Sequence, residues 1–123
     1  MLIYKQFSFD SAHFLPNVPE GHKCKNMHGH TYHLTVYVEG EILDHEGWVF
    51  DFGNLKEIMR PVLEKLDHHL LNDVEGLSNP TAELLAVWIW DQVMPNVAGL
   101  IRIELKETIS SGVIYEGTRP VKP

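Results

Sequence analysis

A chain of 123 residues, of which 44% are hydrophobic and 22% charged, has the size and composition of one globular domain, so we expect a single domain over residues 1–123. The net charge is −7 and the basic residues are scattered, which argues against a nucleic acid as a partner. No apolar run approaches the ~20 residues that cross a bilayer, and the N-terminus lacks the layout of a signal peptide. We therefore expect no membrane partner and a cytoplasmic protein.

Two strands are predicted in the first third of the chain. Side chains alternate between two faces from Leu2 to Phe9, and the strand points toward His13. Residues 15–29 contain two prolines and two glycines, which indicates a loop. Alternation resumes at His30 and continues to Glu39, which predicts a second strand, and the turn residues around 44–47 predict a hairpin-like return through residues 48–50.

Two helices are predicted next. Apolar residues between Leu55 and Leu66 recur at helical spacing, with Asp51 or Asn54 as the N-cap. Pro61 is expected either to kink this helix or to lie in a late first turn. Asn79 and Pro80 form a typical start for a second helix, PTAELLAVWIWDQVM, which is apolar around most of its circumference and therefore expected to be buried.

Two further strands complete the chain. Residues 100–105 alternate again, and residues 113–115 follow the turn Ser110-Ser111-Gly112. The order ββααββ predicts an α+β fold: an antiparallel four-stranded sheet with both helices on one face.

Three histidines at or near the ends of the first two predicted strands could share a metal ion. His28 and His30 are two residues apart, so in an extended chain their side chains point the same way. Antiparallel pairing of the first two strands would bring His13 beside them. Three neutral imidazoles suit zinc and leave a fourth coordination position open, as in catalytic sites.

The only cysteine, Cys24, lies four residues before His28, and one cysteine cannot form an intrachain disulfide. It could be the fourth ligand of a structural zinc site. Alternatively it could lie beside the metal as a base or nucleophile, with a pKa lowered by the ion and by histidine. The spacing alone favours neither reading.

Six segments together resemble a known family: FSFDSAHFLP, GHKCKNMHGHTYHLTV, FDFGNLK, LDHHLLND, NPTAELLAVWIW and LKET. In this order they resemble the 6-pyruvoyl-tetrahydropterin synthase superfamily from about Phe7 to Tyr115. The interval from Cys24 to the HGH motif resembles the 6-carboxy-5,6,7,8-tetrahydropterin synthase branch, a branch of queuosine biosynthesis. Ala82 stands where relatives often have Ser or Thr, which puts a hydroxyl contact from that position in doubt.

The resemblance implies specific roles for seven residues. It implies that zinc is bound by His13, His28 and His30. It implies that Cys24 is the catalytic base rather than a ligand and that Asp67 and His68 form a relay to it. It also implies that Glu107 anchors the pterin.

The resemblance further implies an activity and an assembly. The activity is a zinc-dependent carbon–carbon lyase reaction that converts 7,8-dihydroneopterin triphosphate to 6-carboxy-5,6,7,8-tetrahydropterin, acetaldehyde and triphosphate. The alternatives are 6-pyruvoyl-tetrahydropterin synthase or a dihydroneopterin aldolase-like activity, and more remotely a non-enzymatic zinc-binding module. The implied architecture is the T-fold (tunnelling fold), whose sheets close into a β-barrel in a homohexamer built as a dimer of trimers, with sites between subunits. A basic patch at Lys23 and Lys25 is expected to meet the triphosphate.

Overall fold

The structure is a computed structural model, and it describes residues 1–117 of the chain. Its strands and helices are, in chain order, β1 (Leu2–His13), β2 (His28–Glu39), α1 (Phe52–Leu66), β3 (His69–Leu70), α2 (Ala82–Val93), β4 (Leu100–Thr108) and β5 (Ser111–Tyr115). Short 3-10 turns lie at Lys23–Lys25, Leu71–Asp73 and Met94–Asn96. Both predicted helices and the four predicted strands are present, which confirms the α+β class.

The sheet has five strands in the order β3-β1-β2-β4-β5, so the predicted four-stranded sheet is wrong by one strand. The extra strand, β3, has two residues and runs parallel to β1 at Ser11 and Ala12. Two residues carry no periodicity, so a pattern of alternation could not reveal them. The hairpin-like return predicted at 48–50 is instead a turn, closed by a hydrogen bond from Leu43 N to Trp48 O at 2.9 Å.

The core lies between one face of the sheet and the two helices. Alternate side chains of β2, from Tyr32 to Val38, are buried, as the two-residue period of a strand requires. Four residues of α1 and five of α2 pack against this face: Leu55, Met59, Val62, Leu66, Leu85, Ala86, Ile89, Trp90 and Val93. Both helices therefore cover the same face, as predicted.

The helix starts are set by side-chain caps. Asp51 is the N-cap of α1 and accepts a hydrogen bond from Gly53 N at 3.0 Å. α1 is continuous through Pro61, so the proline does not end the helix. The N-cap of α2 is Thr81, which accepts from Leu84 N, and not Asn79 as predicted. None of the helices within residues 1–117 is both long enough and apolar enough to cross a membrane.

Candidate metal centre and active site

Strand pairing brings three histidines together at one end of the sheet. The register of β1 and β2 places His13 opposite His28, and Ser11 opposite His30. The alternation of side chains then puts all three imidazoles on the face that carries the helices. One ring nitrogen of each lies within 4.8 Å of the others, and we call these three residues the histidine cluster. Their predicted proximity is confirmed.

The rings of the histidine cluster stand nearly perpendicular to one another. The centroid separations are 4.6 Å for His13 and His28, 5.0 Å for His13 and His30, and 4.9 Å for His28 and His30. The corresponding angles between ring planes are 67°, 87° and 90°. Edges rather than faces therefore meet, which is how imidazoles present nitrogen lone pairs to a shared ion.

Backbone carbonyls fix the tautomers of two of these rings. His13 Nδ1 is 2.8 Å from Pro80 O, and His28 Nδ1 is 2.7 Å from Asn26 O. A carbonyl oxygen only accepts, so in the neutral rings each Nδ1 carries the hydrogen and each Nε2 carries a lone pair. Those two Nε2 atoms are 3.0 Å apart. Two facing lone pairs repel at that distance unless a cation lies between them, so the donor set fits a metal ion.

His30 also fits the role of a metal ligand. Its Nε2 is buried and has no hydrogen-bond partner within residues 1–117, which is costly for a polar atom removed from water. Burial lowers the pKa of both His13 and His30, although the nearby Glu107 carboxylate opposes the shift. The lowered pKa values keep both imidazoles neutral at neutral pH, the form that binds metals.

Glu107, near the end of β4, lies beside the histidine cluster. Its Oε1 is 3.7 Å from His30 Nε2, and its Oε2 is 4.0 Å from His13 Nε2. The carboxylate is partly exposed and belongs to the same chain as the histidines it approaches.

Tyr32 lies beside the histidine cluster, although the sequence pattern predicted only that it belongs to a strand. It is fully buried, and its hydroxyl is 3.3 Å from His13 Nδ1. Burial, followed by the charge of Glu107, raises the pKa of Tyr32, so the phenol stays protonated. The available signal was its position two residues after His30, on the same face of β2. The contacts made by the carbonyls of Asn26 and Pro80 could not be predicted from the sequence, because every residue has a backbone carbonyl oxygen.

Asp67 and His68 form one hydrogen-bonded pair at the end of α1. Asp67 Oδ2 is 2.9 Å from His68 Nδ1, and Asp67 Oδ1 accepts from Asp10 N at 2.9 Å. The Asp10 amide, and then His68, lower the pKa of Asp67, while the bond to Asp67 raises the pKa of His68. His68 is largely exposed and has a φ of 59°, a backbone conformation that is unusual outside glycine. His69 follows in β3 and is exposed.

Cys24 lies in the turn Lys23–Lys25, where its carbonyl accepts from Leu15 N at 2.8 Å. Its sulfur does not belong to the histidine cluster in the described part of the chain. No hydrogen bond there links Cys24 to the Asp67–His68 pair. Lys25, half of the expected basic patch, is paired with Glu20 at 2.7 Å.

An open pocket lies beside the Asp67–His68 pair, and one member of the histidine cluster borders it. It has a volume of about 450 Å³, and both His30 and His68 line it. Ala12 and Gly29, opposite each other in β1 and β2, also line it. We call this space the dyad pocket. The structure therefore brings five of the seven predicted site residues into two neighbouring groups, places Glu107 beside the first, and leaves Cys24 on its own turn.

This combination of fold and site defines a class of protein: an α+β domain with three histidines at one end of its sheet that could hold a metal ion. The model of the family described as 6-pyruvoyl tetrahydropterin synthase matches residues 2–118, and the chain belongs to that family. The resemblance seen in the sequence is thereby confirmed.

Individual relatives agree with the family assignment. The chain is 41% identical to the 6-carboxy-5,6,7,8-tetrahydropterin synthase of Synechocystis sp., over 96% of this chain and 95% of that protein. It is 39% identical to the dihydroneopterin monophosphate aldolase of Pyrococcus furiosus, over 94% of this chain and 96% of that protein. Among solved structures, it is similar to 6-pyruvoyl tetrahydropterin synthase of Caenorhabditis elegans, with a TM-score of 0.89, 28% identity and 96% of each chain covered.

Proposed function

We propose that the protein converts 7,8-dihydroneopterin triphosphate and water to 6-carboxy-5,6,7,8-tetrahydropterin, acetaldehyde and triphosphate. The observation that carries the proposal is the histidine cluster, with two Nε2 lone pairs facing each other at 3.0 Å. It is supported by the 41% identity, over nearly the whole chain, to a protein named for this activity. The reaction needs no external oxidant, because the pterin ring gains the two electrons that the side chain loses. The product is an intermediate of queuosine biosynthesis.

Zinc is the proposed metal, held by His13, His28 and His30, because three neutral imidazoles with room for a further ligand suit this ion. When bound, zinc supplies Lewis acidity that polarises the side-chain oxygens of the substrate and makes the neighbouring C–H bonds more acidic. The role of the protein is to hold the three nitrogens in place. Two of them are oriented by the backbone carbonyls of Asn26 and Pro80.

Glu107 is proposed to bind the pterin ring. A pterin presents a donor-rich amino–amide edge, to which a carboxylate can accept two parallel, charge-assisted hydrogen bonds. Glu107 lies 3.7 Å from His30 Nε2, so a ring bound there would direct its side chain toward the histidine cluster.

Cys24 is proposed to remove and return protons on the substrate side chain, with His68 as its proton partner. Asp67 accepts from His68 Nδ1, which leaves His68 Nε2 as the atom that exchanges the proton. No hydrogen bond in the described residues joins Cys24 to this pair within one chain. We therefore propose that the cysteine of one subunit meets the Asp67–His68 pair of another, in a homohexamer with sites between subunits.

Aldol cleavage of the same side chain is the second candidate. It is favoured by the aldolase of Pyrococcus furiosus, which is 39% identical over 94% of this chain. Aldol cleavage also needs a polarised oxygen and a positioned base, but it leaves the pterin ring at its original oxidation level. A pyruvoyl-forming reaction would retain all the side-chain carbons. The three outcomes therefore differ in the pterin product.

Mass spectrometry of the products decides between them. The zinc-loaded protein is incubated with 7,8-dihydroneopterin triphosphate, and released aldehydes are trapped as hydrazones. We expect 6-carboxy-tetrahydropterin and acetaldehyde in equal amounts. A retained pyruvoyl side chain, or a 6-hydroxymethyl pterin at the dihydro level, would overturn the proposal. The control is Cys24→Ala, which should keep its zinc and form no product. A non-enzymatic zinc module would instead form no product with either protein and lose zinc on this substitution.

A further inference from the structure

Asp10 is hydrogen-bonded to both members of the Asp67–His68 pair, although nothing in the proposed reaction uses it. Its backbone amide donates to Asp67 Oδ1 at 2.9 Å. Its backbone carbonyl accepts from His68 N at 2.6 Å. The main chain of Asp10 in β1 therefore holds both members of the pair. It bonds to the side chain of Asp67 and to the main chain of His68.

These two bonds explain how His68 keeps an unfavourable backbone conformation. A φ of 59° is unfavourable for a non-glycine residue and persists only where the surroundings impose it. Here the chain is tied to β1 on both sides of His68. Ser11 Oγ donates to Leu66 O at 2.5 Å before it, and β3 pairs with Ser11 and Ala12 after it. The Asp10 carbonyl holds the strained residue itself.

The side chain of Asp10 has a separate anchor. Asp10 and Thr31 are opposite each other in β1 and β2, and Thr31 Oγ1 donates to Asp10 Oδ1 at 2.5 Å. Both residues lie on the sheet face away from the helices and line the dyad pocket with His68 and His69. Thr31 thus fixes a carboxylate in the pocket that the His68 imidazole borders.

Within residues 1–117 of one chain, the titratable side chains that face His68 are Asp67, Asp10 and His69. In the proposed assembly, Cys24 of another subunit would join them. Asp67 makes the largest contribution to the raised pKa of His68, and the charge of Asp10 adds to it in the same direction. Asp10 therefore influences His68 in two independent ways, by main-chain geometry and by side-chain charge.

We propose that Asp10 and Thr31 are positioning residues that hold the Asp67–His68 pair in its working geometry and keep a fixed negative charge beside the His68 ring. Neither is a catalytic residue, because both act through His68. The rate effect of this arrangement rests on the proposed function. The effect of the arrangement on the His68 imidazole does not depend on the proposed function, so the positioning role and the function can be tested separately.

The test compares four variants of the zinc-loaded, full-length protein. Asp10→Asn removes the charge and keeps an oxygen that can accept from Thr31. Thr31→Val removes the hydroxyl at nearly constant shape, and Thr31→Ser restores it. Glu104→Gln is the matched control, because it removes a carboxylate from the same sheet face on β4. The His68 ring is titrated by NMR with carbon-13-labelled histidine, and its signal is assigned by its absence in His68→Gln.

We expect Asp10→Asn to lower the pKa of His68, and Glu104→Gln to leave it at the wild-type value. In Thr31→Val the amides of Asp10 and His68 should exchange with solvent faster than in wild type, and Thr31→Ser should restore slow exchange. For turnover we expect Asp10→Asn to lower kcat about tenfold, a fraction of what general acid–base catalysis contributes, with KM and zinc content unchanged.

The positioning role is overturned if a folded Asp10→Asn protein has the wild-type pKa at His68. It is equally overturned if Thr31→Val and Thr31→Ser show the same amide exchange rates. This second comparison removes no charge and does not depend on whether Asp10→Asn folds. A wild-type protein that forms no carboxy-pterin overturns the proposed function instead, and the NMR comparison still decides the role of Asp10.

Discussion

At the scale of single residues, the candidate site is defined by where nitrogen lone pairs point. The proximity of the three histidines could be predicted, because a two-residue period and antiparallel pairing are sufficient to bring them together. Their orientation could not be, since it depends on the carbonyls of Asn26 and Pro80 and on the buried hydroxyl of Tyr32. These contacts come from loops and from residues distant in sequence. The assignment of the histidines as ligands remains a prediction.

Glu107 gives the first prediction at this scale. Glu107→Gln keeps the size of the side chain but removes the charge that strengthens hydrogen bonds to the pterin edge. We expect KM to rise about tenfold or more, since a hydrogen bond to a charged group contributes roughly 1.5–3 kcal/mol. Zinc content should not change. Steady-state kinetics measure this, with Glu104→Gln as control on the same strand. An unaltered KM for Glu107→Gln would remove Glu107 from the pterin site.

The Asp67–His68 pair gives a second prediction, on pH. Because Asp67 raises the pKa of His68 above its ordinary 6.5, the ion pair stabilises the fold most below the pKa of the unfolded chain. That stabilisation is lost as the pH rises through the folded-state pKa of His68. It is also lost in acid, as the pH falls through the lowered pKa of Asp67.

Asp67→Asn should therefore destabilise the protein more at pH 5.5–6, on the acid side of the ordinary pKa of His68, than at pH 9. Urea unfolding of both proteins at the two pH values, at one fixed protein concentration, measures the difference. NMR should also show the pKa of His68 falling toward 6.5 in Asp67→Asn. An equal loss of stability at both pH values would mean that the two side chains do not interact as an ion pair.

At the scale of elements, long and strongly patterned segments were predictable and short ones were not. The long strands β1 and β2 and the helix α1 carry clear periodicity, and the structure has them where the pattern indicates. β3 has only two residues, and it forms because the chain after α1 runs beside β1. The start of α2 was predicted two residues early because Asn79-Pro80 and Thr81 are all acceptable helix starts, and only the structure shows which oxygen accepts from the first turn.

Thr81 gives the prediction at this scale. Thr81→Ala removes the oxygen that accepts from Leu84 N and should lower the free energy of unfolding by about 1 kcal/mol. Thr81→Ser should restore most of it, and Ser78→Ala, a nearby exposed serine outside the cap, should have little effect. Urea midpoints at equal protein concentration give the comparison, because association would otherwise shift them. If Thr81→Ala and Ser78→Ala have equal midpoints, the Thr81 cap contributes nothing to stability.

At the scale of the whole molecule, the sheet leaves two strand edges without partners within residues 1–117. β5 is one edge, and most of β1 is the other, because β3 covers only Ser11 and Ala12. Open edges promote pairing with another chain unless charge or covering blocks them. The largely exposed Ile114 lies on β5, and Leu2 and Tyr4 are exposed on β1. The barrel implied by the family resemblance would join these edges.

Association gives the prediction for the whole molecule. Ile114→Lys places a charge on the β5 edge and should shift the protein from oligomer toward monomer in sedimentation velocity experiments at micromolar concentration. Ile42→Lys is the matched control, because Ile42 is similarly exposed but lies outside the strands. A wild-type protein that sediments as a monomer would contradict the hexamer, and with it the proposal that Cys24 acts across a subunit boundary.

The most direct test of the central claim is the zinc content of three proteins after reconstitution and removal of excess metal, measured by inductively coupled plasma mass spectrometry. The claim is that His13, His28 and His30 hold the ion while the sulfur of Cys24 remains outside its ligand set. Wild type and Cys24→Ala should each retain about one zinc ion per chain, and His30→Ala should lose most of it. Loss of zinc from Cys24→Ala to the same extent as from His30→Ala would contradict the claim.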